Sequence, residues 1–475
     1  MREDTDARTG RDDAERDDAL PAVRDSAGNV ADTFLLALES AIAEQDVDRL
    51  RTLTAGLHEA DMGDLIEALD GDSRRDLIAL LGPDFDFTAL TELDETIRVQ
   101  ILHGLSPQIV AQGMRELDSD DAVYILEDLA DEDKAAILEH MPAPERVALL
   151  RSLDYPEESA GRRMQTEFIA VPPFWTAGRA IDYMRDTPDL PDTFYEVFVV
   201  DPAYRLIGSV SLDKLLRARR SVLVSAVKAE QLQVVKATED QEEVARMFEH
   251  YNLVSAPVVD DAGRLVGVIT IDDVVDVIQE EADEDLRALG GVGSDEELSD
   301  TVGYTARSRL PWLLVNLGTA FLSASIIALF EGTIEKMVAL AVLMPIVASM
   351  GGNAGTQTMT VAVRALATKD LSTHNARRVV GREVLVGLCN GLALACLLGT
   401  IAALWFANLH LGLVISTALV VNMLAAGLFG ILIPLVISKL KLDPAVASGV
   451  FVTTVTDSVG FFAFLGLATW WFGSA

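Results

Sequence analysis

From Pro444 to Ala475 the chain carries one charged side chain, Asp457, in a run otherwise apolar or hydroxylated. A helix starting near Pro444 rises about 1.5 Å per residue, which puts Asp457 about 20 Å along it. The hydrocarbon core of a bilayer is about 30 Å thick. An acid with so short a side chain cannot reach interfacial water from that depth. It must face a polar path, pair with a cation or stay protonated. Thr453, Thr454, Thr456 and Ser458 surround it with hydroxyls, and no Lys or Arg follows Lys441. The arrangement favours a path whose missing counter-charge is a transported cation over a protonated Asp bonded to a neighbouring helix.

Four more apolar stretches precede it: Leu310–Phe330, Met337–Val363, Val384–Phe406 and Leu413–Ile437, with Pro444–Phe472 as the fifth. Each is long enough to cross a bilayer as a helix. A turn is expected at Asn408–Gly412, and the second stretch should be interrupted at Pro345 and over Ser349–Thr358. Broken backbone at membrane depth must line a wet cavity, so Asn353, Thr356 and Gln357 read as pore lining, while close packing accounts for the glycines. Cys389 and Cys396 share one apolar stretch and read as helix-surface residues, not a disulfide or metal site. Arg307, Arg309, Arg364, Lys369, Arg377, Arg378, Arg382, Lys439 and Lys441 fall on one side of the five stretches, and Lys336 alone on the other. That bias puts the N-terminus in the cytosol and the C-terminus outside.

The whole chain has a net charge of −36, yet from Arg307 onward ten Lys and Arg outweigh six Asp and Glu, leaving −40 on the residues before it. Such acidity repels nucleic acid and suits a solvated surface or divalent cations. Residues 1–30 form an acidic stretch with no apolar run, expected as a disordered tail and not a signal peptide. Over 31–165, short runs with apolar residues at i, i+3 and i+4 predict a stack of small helices, an α-superhelical domain. Asp and Ser at their starts, as in Ser119-Asp120-Asp121 and Asp131-Glu132, read as caps. His58, His103 and His140 have no ligand-like spacing. Residues 166–271 repeat a β-α-β-β-α pattern twice. From Asp272 to Asp285 comes an acidic helix with no base before Arg287, followed by a linker to 306. Asp276, Glu280 and Glu284 share one of its faces and Glu281 and Asp285 another, where each like pair costs a few tenths of a kcal/mol. A solvated face and a cation-dependent role are evenly matched for it. Residues 307–475 hold the five membrane helices.

The segment Ala256-Pro-Val-Val-Asp-Asp-Ala-Gly-Arg-Leu-Val-Gly-Val-Ile-Thr-Ile-Asp-Asp-Val-Val closely resembles a CBS domain, with Tyr195 to Leu215 as its partner copy. The resemblance implies a paired module whose cleft takes ATP or another adenine nucleotide. Thr270 and Asp273 match its ribose-holding Thr-x-x-Asp element. The first copy has Ser211-Leu-Asp-Lys214 there.

Beyond about residue 30 the chain resembles the MgtE family of magnesium channels. The motifs are Tyr155-Pro-Glu-Glu-Ser-Ala-Gly-Arg-Arg-Met164, the tandem CBS pair, Gly351-Gly-Asn-Ala-Gly-Thr-Gln357 with Arg364-Ala-Leu-Ala-Thr-Lys-Asp370, and Thr453-Thr-Val-Thr-Asp457. The resemblance implies a homodimer in the bacterial plasma membrane, with a pore on the two-fold axis between the second and fifth membrane helices. Asp457 would form the Mg²⁺-selecting ring, with oxygens from Ser349, Thr356, Thr360, Gly449 and Thr453. It implies also that the acidic helix is a plug tied down by cytosolic Mg²⁺. Asp273, Asp276, Glu281, Glu284 and Asp285 would be ligands on that helix, opposite Asp443. Asp120, Asp240 and Glu242 would be further regulatory acids. Tyr124 and Asn252 stand where family members carry acids, and Thr356 and Gly449 where some carry Asn. Asp443 before Pro444 also reads as a plain N-cap.

The fold expected is therefore multidomain: an α-superhelical cytosolic domain, tandem α+β CBS domains, a linking acidic helix and five transmembrane helices. A Mg²⁺ channel closed by cytosolic Mg²⁺ heads the functions. A coupled divalent-cation carrier or exporter comes next, then a membrane CBS sensor that transports nothing. An enzyme ranks last, since no nucleophile–base pair, Walker loop or zinc spacing occurs.

Overall fold

The structure is a computed structural model. It describes residues 20–473 apart from 189, 192, 230, 294, 295, 297–300, 372 and 373, and at 447 and 473 the backbone alone. Most of the expected acidic tail, residues 1–19, lies outside the described residues. The remainder is tied down: Arg24 reaches Asp61 and Asp64, each at 2.6 Å, and bridges to Val30. The chain divides into two compact units, one up to Ile278 and one from Gln279.

The first unit begins with ten short helices: α1 Asp32–Glu44, α2 Val47–Thr54, α3 Glu59–Ala68, α4 Gly71–Leu81, α5 Glu95–Gly104, α6 Pro107–Gly113, α7 Ser119–Glu127, α8 Asp131–Glu139, α9 Ala143–Leu153 and α10 Ala160–Arg163. The first nine turn apolar residues to a continuous core including Phe34, Leu65, Leu77, Phe85 and Leu126. Full burial of such a side chain contributes about 2 kcal/mol. Asp46, Asp70 and Asp94 accept backbone N–H groups as caps, and His58 caps α3 through Nδ1. The caps expected at Ser119-Asp120-Asp121 and Asp131-Glu132 are not there. Asp118 and Ala130 precede those helices without side-chain cap bonds, and the Ser119 hydroxyl donates instead to Glu167 at 2.7 Å. Arg98, almost fully buried, donates to Asp128 and to the carbonyls of Leu90 and Leu93.

Two copies of one motif follow. In the first, β1 Ala170–Val171, α11 Ala177–Asp186, β2 Glu196–Val200, β3 Leu206–Ser211 and α12 Leu212–Arg217 give a sheet of order β1-β2-β3. The second follows α13 Val224–Val227, with β4 Val235–Lys236, α14 Gln241–Tyr251, β5 Ser255–Val259 and β6 Leu265–Thr270 in order β4-β5-β6. The first pairing of each sheet is parallel and the second antiparallel, with a register shift after Val199 and, equivalently, after Val258. Phe198, Val200, Leu265 and Val268 pack the two sheets together. Strand β6 runs directly into α15 Ile271–Gly290. Its Val274 and Val277 are buried in the second copy's core.

The second unit holds the C-terminal part of α15, then α16 Val302–Ala328, the short α17 Glu331–Lys336, α18 Ala339–Ala367, α19 Ala376–Trp405, α20 Leu409–Lys439 and α21 Pro444–Gly473. Among the described residues five helices are long and apolar enough to cross a membrane. The expected turn at Asn408–Gly412 ends at Asn408, whose side chain caps α20 by accepting from His410 and Leu411. Gly412 lies inside that helix, where a Cβ would stand 2.6 Å from the Gly399 carbonyl oxygen.

The interruption expected in the second membrane helix is absent: α18 runs unbroken through Pro345 and Ser349–Thr358. Neighbouring helices stabilise a continuous helix where Gly and Pro propensities oppose it. A Cβ on Gly355 would stand 2.7 Å from Val452 Cγ1, and on Gly430 2.8 Å from Thr358 Cβ, so these glycines set how closely α18, α20 and α21 approach.

Candidate functional site

The membrane site is built on α18 and α21, which pack on each other through Gly355, Val452 and Thr456. The positions turned away from that contact carry the polar groups. Ser349, Thr356 and Thr360 on α18 and Thr453 on α21 are exposed in the single chain, while Gly449 and Asp457 are half-buried. Gly449, Thr453 and Asp457 are four residues apart and form one stripe. Thr356 donates its hydroxyl proton to Gly352 O at 2.9 Å, Thr360 to Thr356 O at 3.0 Å and Thr453 to Gly449 O at 2.8 Å. With the proton so used, each hydroxyl offers only lone pairs outward. The outward lone pairs of these three hydroxyls suit a cation or its hydration water. Asn353 and Gln357 lie exposed on the same stretch of α18. Among the described residues Asp457 accepts no hydrogen bond and meets no cation.

The end of this stripe nearest Pro444 is covered. Ala288 of α15 packs with Met359 and Val363 of α18 and Ala445 and Val452 of α21. The Leu289 carbonyl oxygen lies 4.0 Å from where a Gly449 Cβ would be, so α15 ends over Gly449. Asp443 accepts from Ala445 N at 2.8 Å, the cap expected before Pro444. Burial, then the charge of Asp443, pushes the Asp285 carboxyl up, against the pull of Arg364. Glu281 and Glu284 precede it on the same part of α15.

A second acidic cluster lies within the first unit, around the start of α7 and the first turns of α15. Burial, then the Asp273 and Asp121 charges, holds Asp120 well above the carboxylate range. Asp121 is pushed up to about 7 by burial, then by Asp118, Glu59, Asp272 and Glu92. Asp273 also reaches about 7, through burial and Asp272, although the Thr270 hydroxyl donating at 2.9 Å pulls it down. Glu92 is raised by burial and by Asp276, and Asp276 by burial and Asp272, with Arg163 opposing. Asp120, Asp273 and Asp276 were expected here. Asp121, Glu59 and Glu92 were not, because residues so far apart in sequence meet only once the helices stack. The one signal that sequence offered for Asp121, an acid at a helix start, has a cap as its ordinary explanation. Among the described residues no three His, Cys, Asp or Glu side chains converge closely enough to hold a metal ion.

Other expected regulatory positions are occupied differently. Asp240 caps α14 by accepting from Glu242 N, and the Glu242 carboxylate pairs with Arg246 at 3.0 Å. Asn252 ends α14 in the left-handed region at φ +51°, which suits Asn. The Tyr124 ring lies 4.5 Å from the Arg98 guanidinium and 5.5 Å from that of Arg163. These fixed cations exclude a metal ion from that spot.

The nucleotide expectation meets a poor fit. Thr270 and Asp273, the residues that would hold a ribose, are bonded to each other. The cavity beside Thr270, about 10 Å³ in volume, is lined by Glu167, Glu196, Ser255 and aromatic rings, with no Lys or Arg. That space suits one water, and two carboxylates repel a phosphate. In the first copy the Ser211 hydroxyl is taken by Asp213 at 2.6 Å.

Comparison with known proteins covers both units. The family model described as the MgtE divalent cation transporter matches residues 344–467. The model of the MgtE intracellular N domain matches 57–158, and the CBS domain model matches 160–221 and 224–280. The magnesium transporter MgtE of Enterococcus faecalis is 34% identical over 438 residues, covering 92% of this chain and 96% of that protein. MgtE of Thermus thermophilus is 33% identical, covering 91% of this chain and 97% of its own. Among solved structures, the cytosolic domain of the Mg²⁺ channel MgtE in complex with ATP matches 51% of this chain and 99% of that one, at 30% identity and a TM-score of 0.48.

Proposed function

The chain belongs to the MgtE family of magnesium transporters, and on that premise we propose a homodimeric, Mg²⁺-selective channel of the bacterial plasma membrane that cytosolic Mg²⁺ closes. The observation carrying this reading is the unpartnered carboxylate of Asp457 in the stripe with Thr453 and Gly449. The exposed polar faces of α18 and α21 acquire a purpose when a second chain meets them across a two-fold axis.

Mg²⁺ exchanges its octahedral water shell reluctantly, so an ion conducted quickly passes largely hydrated. Two Asp457 carboxylates, one from each chain, would receive the positive shell. An ion between them offsets the repulsion that otherwise drives one to protonate. Thr453, Thr356, Thr360 and Ser349, with the backbone at Gly449, accept hydrogen bonds from the ion's water. Charge and ring width then set selectivity. The driving force is the membrane potential, worth about 4.6 kcal/mol for a divalent ion at 100 mV. The basic residues at the loop ends favour an N-terminus in the cytosol.

Closure follows from the acid-rich clusters. Asp120, Asp121, Asp273 and Asp276 in the first unit, and Glu281, Glu284, Asp285 and Asp443 in the second, repel within their groups until divalent cations offset the charge. An ion that binds the compact arrangement better shifts the equilibrium by that difference. Near-complete switching takes about 5.5 kcal/mol, within reach of several weak sites. The end of α15 over Gly449 is the element being held. No step runs through a nucleotide, because the residues beside Thr270 do not fit one.

Currents through the full-length protein in planar bilayers test this reading. Mg²⁺ current should follow voltage without any Na⁺ or H⁺ gradient and fall as cytosolic-side Mg²⁺ rises. The triple variant Asp276→Asn, Glu281→Gln, Glu284→Gln should need more Mg²⁺ to close. Flux that requires a second ion's gradient would establish a coupled carrier instead.

A further inference from the structure

One polar side chain of the membrane unit belongs neither to the exposed stripe nor to a helix end. Asn422 sits in the middle of α20 with none of its surface exposed. Its Nδ2 donates to the Val347 carbonyl of α18 at 2.9 Å, and that acceptor fixes which way the amide points. Its Oδ1 is buried and accepts nothing among the described residues. The amide is admitted by two glycines on two different helices. A Cβ on Gly351 of α18 would lie 2.1 Å from Nδ2, and one on Gly460 of α21 would lie 2.6 Å from it. Three helices therefore meet at this side chain. Two of them carry the proposed ion path.

A buried amide with one unmade hydrogen bond costs about 1–3 kcal/mol. Leu at the same place would carry no such penalty, so stability alone does not account for Asn. Position does. Gly460 is three residues from Asp457, hence about 60° around α21 and less than one turn away. Gly351 lies on the turn of α18 that carries Ser349. Contact with the Asn422 amide on both sides fixes the lateral and rotational setting of these two turns, while Gly355 against Val452 fixes the next level inward.

We propose that Asn422 is a positioning residue for ion selection: it sets the distance and rotation of the Asp457 turn relative to α18, and so the width of the ring that discriminates Mg²⁺ from larger divalent cations. The inference rests on the reading of Asp457 as the ion-selecting group. It assigns Asn422 no contact with the ion. Gly351 and Gly460 are the sockets that let the amide reach both helices.

Full-length protein in proteoliposomes tests it through uptake of Mg²⁺ and Ca²⁺ and the half-saturating Mg²⁺ concentration, with unfolding temperature measured alongside. Asn422→Leu should unfold at or above the wild-type temperature yet lose discrimination of Mg²⁺ over Ca²⁺ by about tenfold, the equivalent of one hydrogen bond. Gly351→Ala should relax the ratio likewise, because its methyl collides with the amide. Combining it with Asn422→Ala should recover much of the loss. If Asn422→Leu does not fold, Asn422→Ser and the Gly351→Ala, Asn422→Ala pair report the same ratio. A wild-type ratio and half-saturation in Asn422→Leu, or in Asn422→Ser where only that folds, makes the residue mere packing and overturns the proposal. So do additive effects of Gly351→Ala and Asn422→Ala. The control is Asp457→Asn. If it conducts Mg²⁺ as wild type does, the ion-path reading falls and takes this inference with it. If it blocks conduction while Asn422 variants are silent, only the inference falls.

Discussion

Replacing Asp121 by Asn isolates the repulsion that cytosolic Mg²⁺ is proposed to offset. Its carboxyl is pushed up to about 7, first by burial and then by Asp118, Glu59, Asp272 and Glu92. A rise of about three units from the ordinary value corresponds to about 4 kcal/mol when the group is fully ionised. Partial solvent access to the side chain screens this, and about 2 kcal/mol is the fair magnitude. The packed-state pKa lies above the unfolded one, so this group's stabilising contribution is complete below about pH 4. It is lost as the pH rises through about 7. Asn keeps the shape without the charge. At pH 8 in EDTA the variant should open about 30-fold less often around α7, and the difference should shrink as the pH falls and vanish only below about pH 4. Hydrogen exchange of the α7 amides in the full-length protein, corrected for the intrinsic pH dependence, reads this directly. Equal or faster exchange in the variant at pH 8 would refute the electrostatic reasoning.

Because Asp121 and Asp273 sit at about 7 and burial beside Asp273 and Asp121 also raises Asp120, binding of Mg²⁺ near pH 7 should release protons, about half of one each from Asp121 and Asp273 at 7. Calorimetry of the full chain in buffers of different ionisation enthalpy should show this release at pH 7 and its near-disappearance for Asp121 and Asp273 by pH 8.5. Arg98→Met removes the buried partner of Asp128 and two carbonyl bonds. It should destabilise the helical stack by about 3–5 kcal/mol, seen as a lower denaturation midpoint. Asp443→Ser keeps a hydroxyl cap for α21 and removes the charge beside Asp285. Stability should stay within about 0.5 kcal/mol, while closure should need more Mg²⁺ in bilayer recordings. An unchanged closing concentration would leave Asp443 as a cap alone.

Much of this architecture was legible in the sequence because it rests on periodicity. The two β-α-β-β-α copies, α14 over Gln241–Tyr251 and β6 over Leu265–Thr270 appear where alternation and 3.6-residue spacing put them. Asp457 stood out as the one charge in an apolar run, whereas Gly449 and Thr453 were joined to it as ion-facing positions only through the family resemblance. What depends on contact between distant segments was not legible. The glycines of α18 suggested a broken helix, yet Asn422, Val452 and Thr358 fill the space they leave and keep it whole. Ser119-Asp120-Asp121 looked like a cap, and only stacking of α7 near α15 reveals a charge cluster that includes Glu59 and Glu92. Asn422 carries no sequence signal beyond being one amide in an apolar helix. Its meaning lies in the two glycines that face it.

Uptake of Mg²⁺ by proteoliposomes holding an inside-negative potential, wild type against Asp457→Asn, tests the ion path most directly. The amide is nearly the same size and cannot carry the charge that receives a hydrated cation. Wild-type vesicles should take up Mg²⁺ in proportion to the potential, and the variant should lose that uptake or its preference for Mg²⁺ over monovalent ions while remaining folded. Uptake by the variant with wild-type rate and preference would contradict the account.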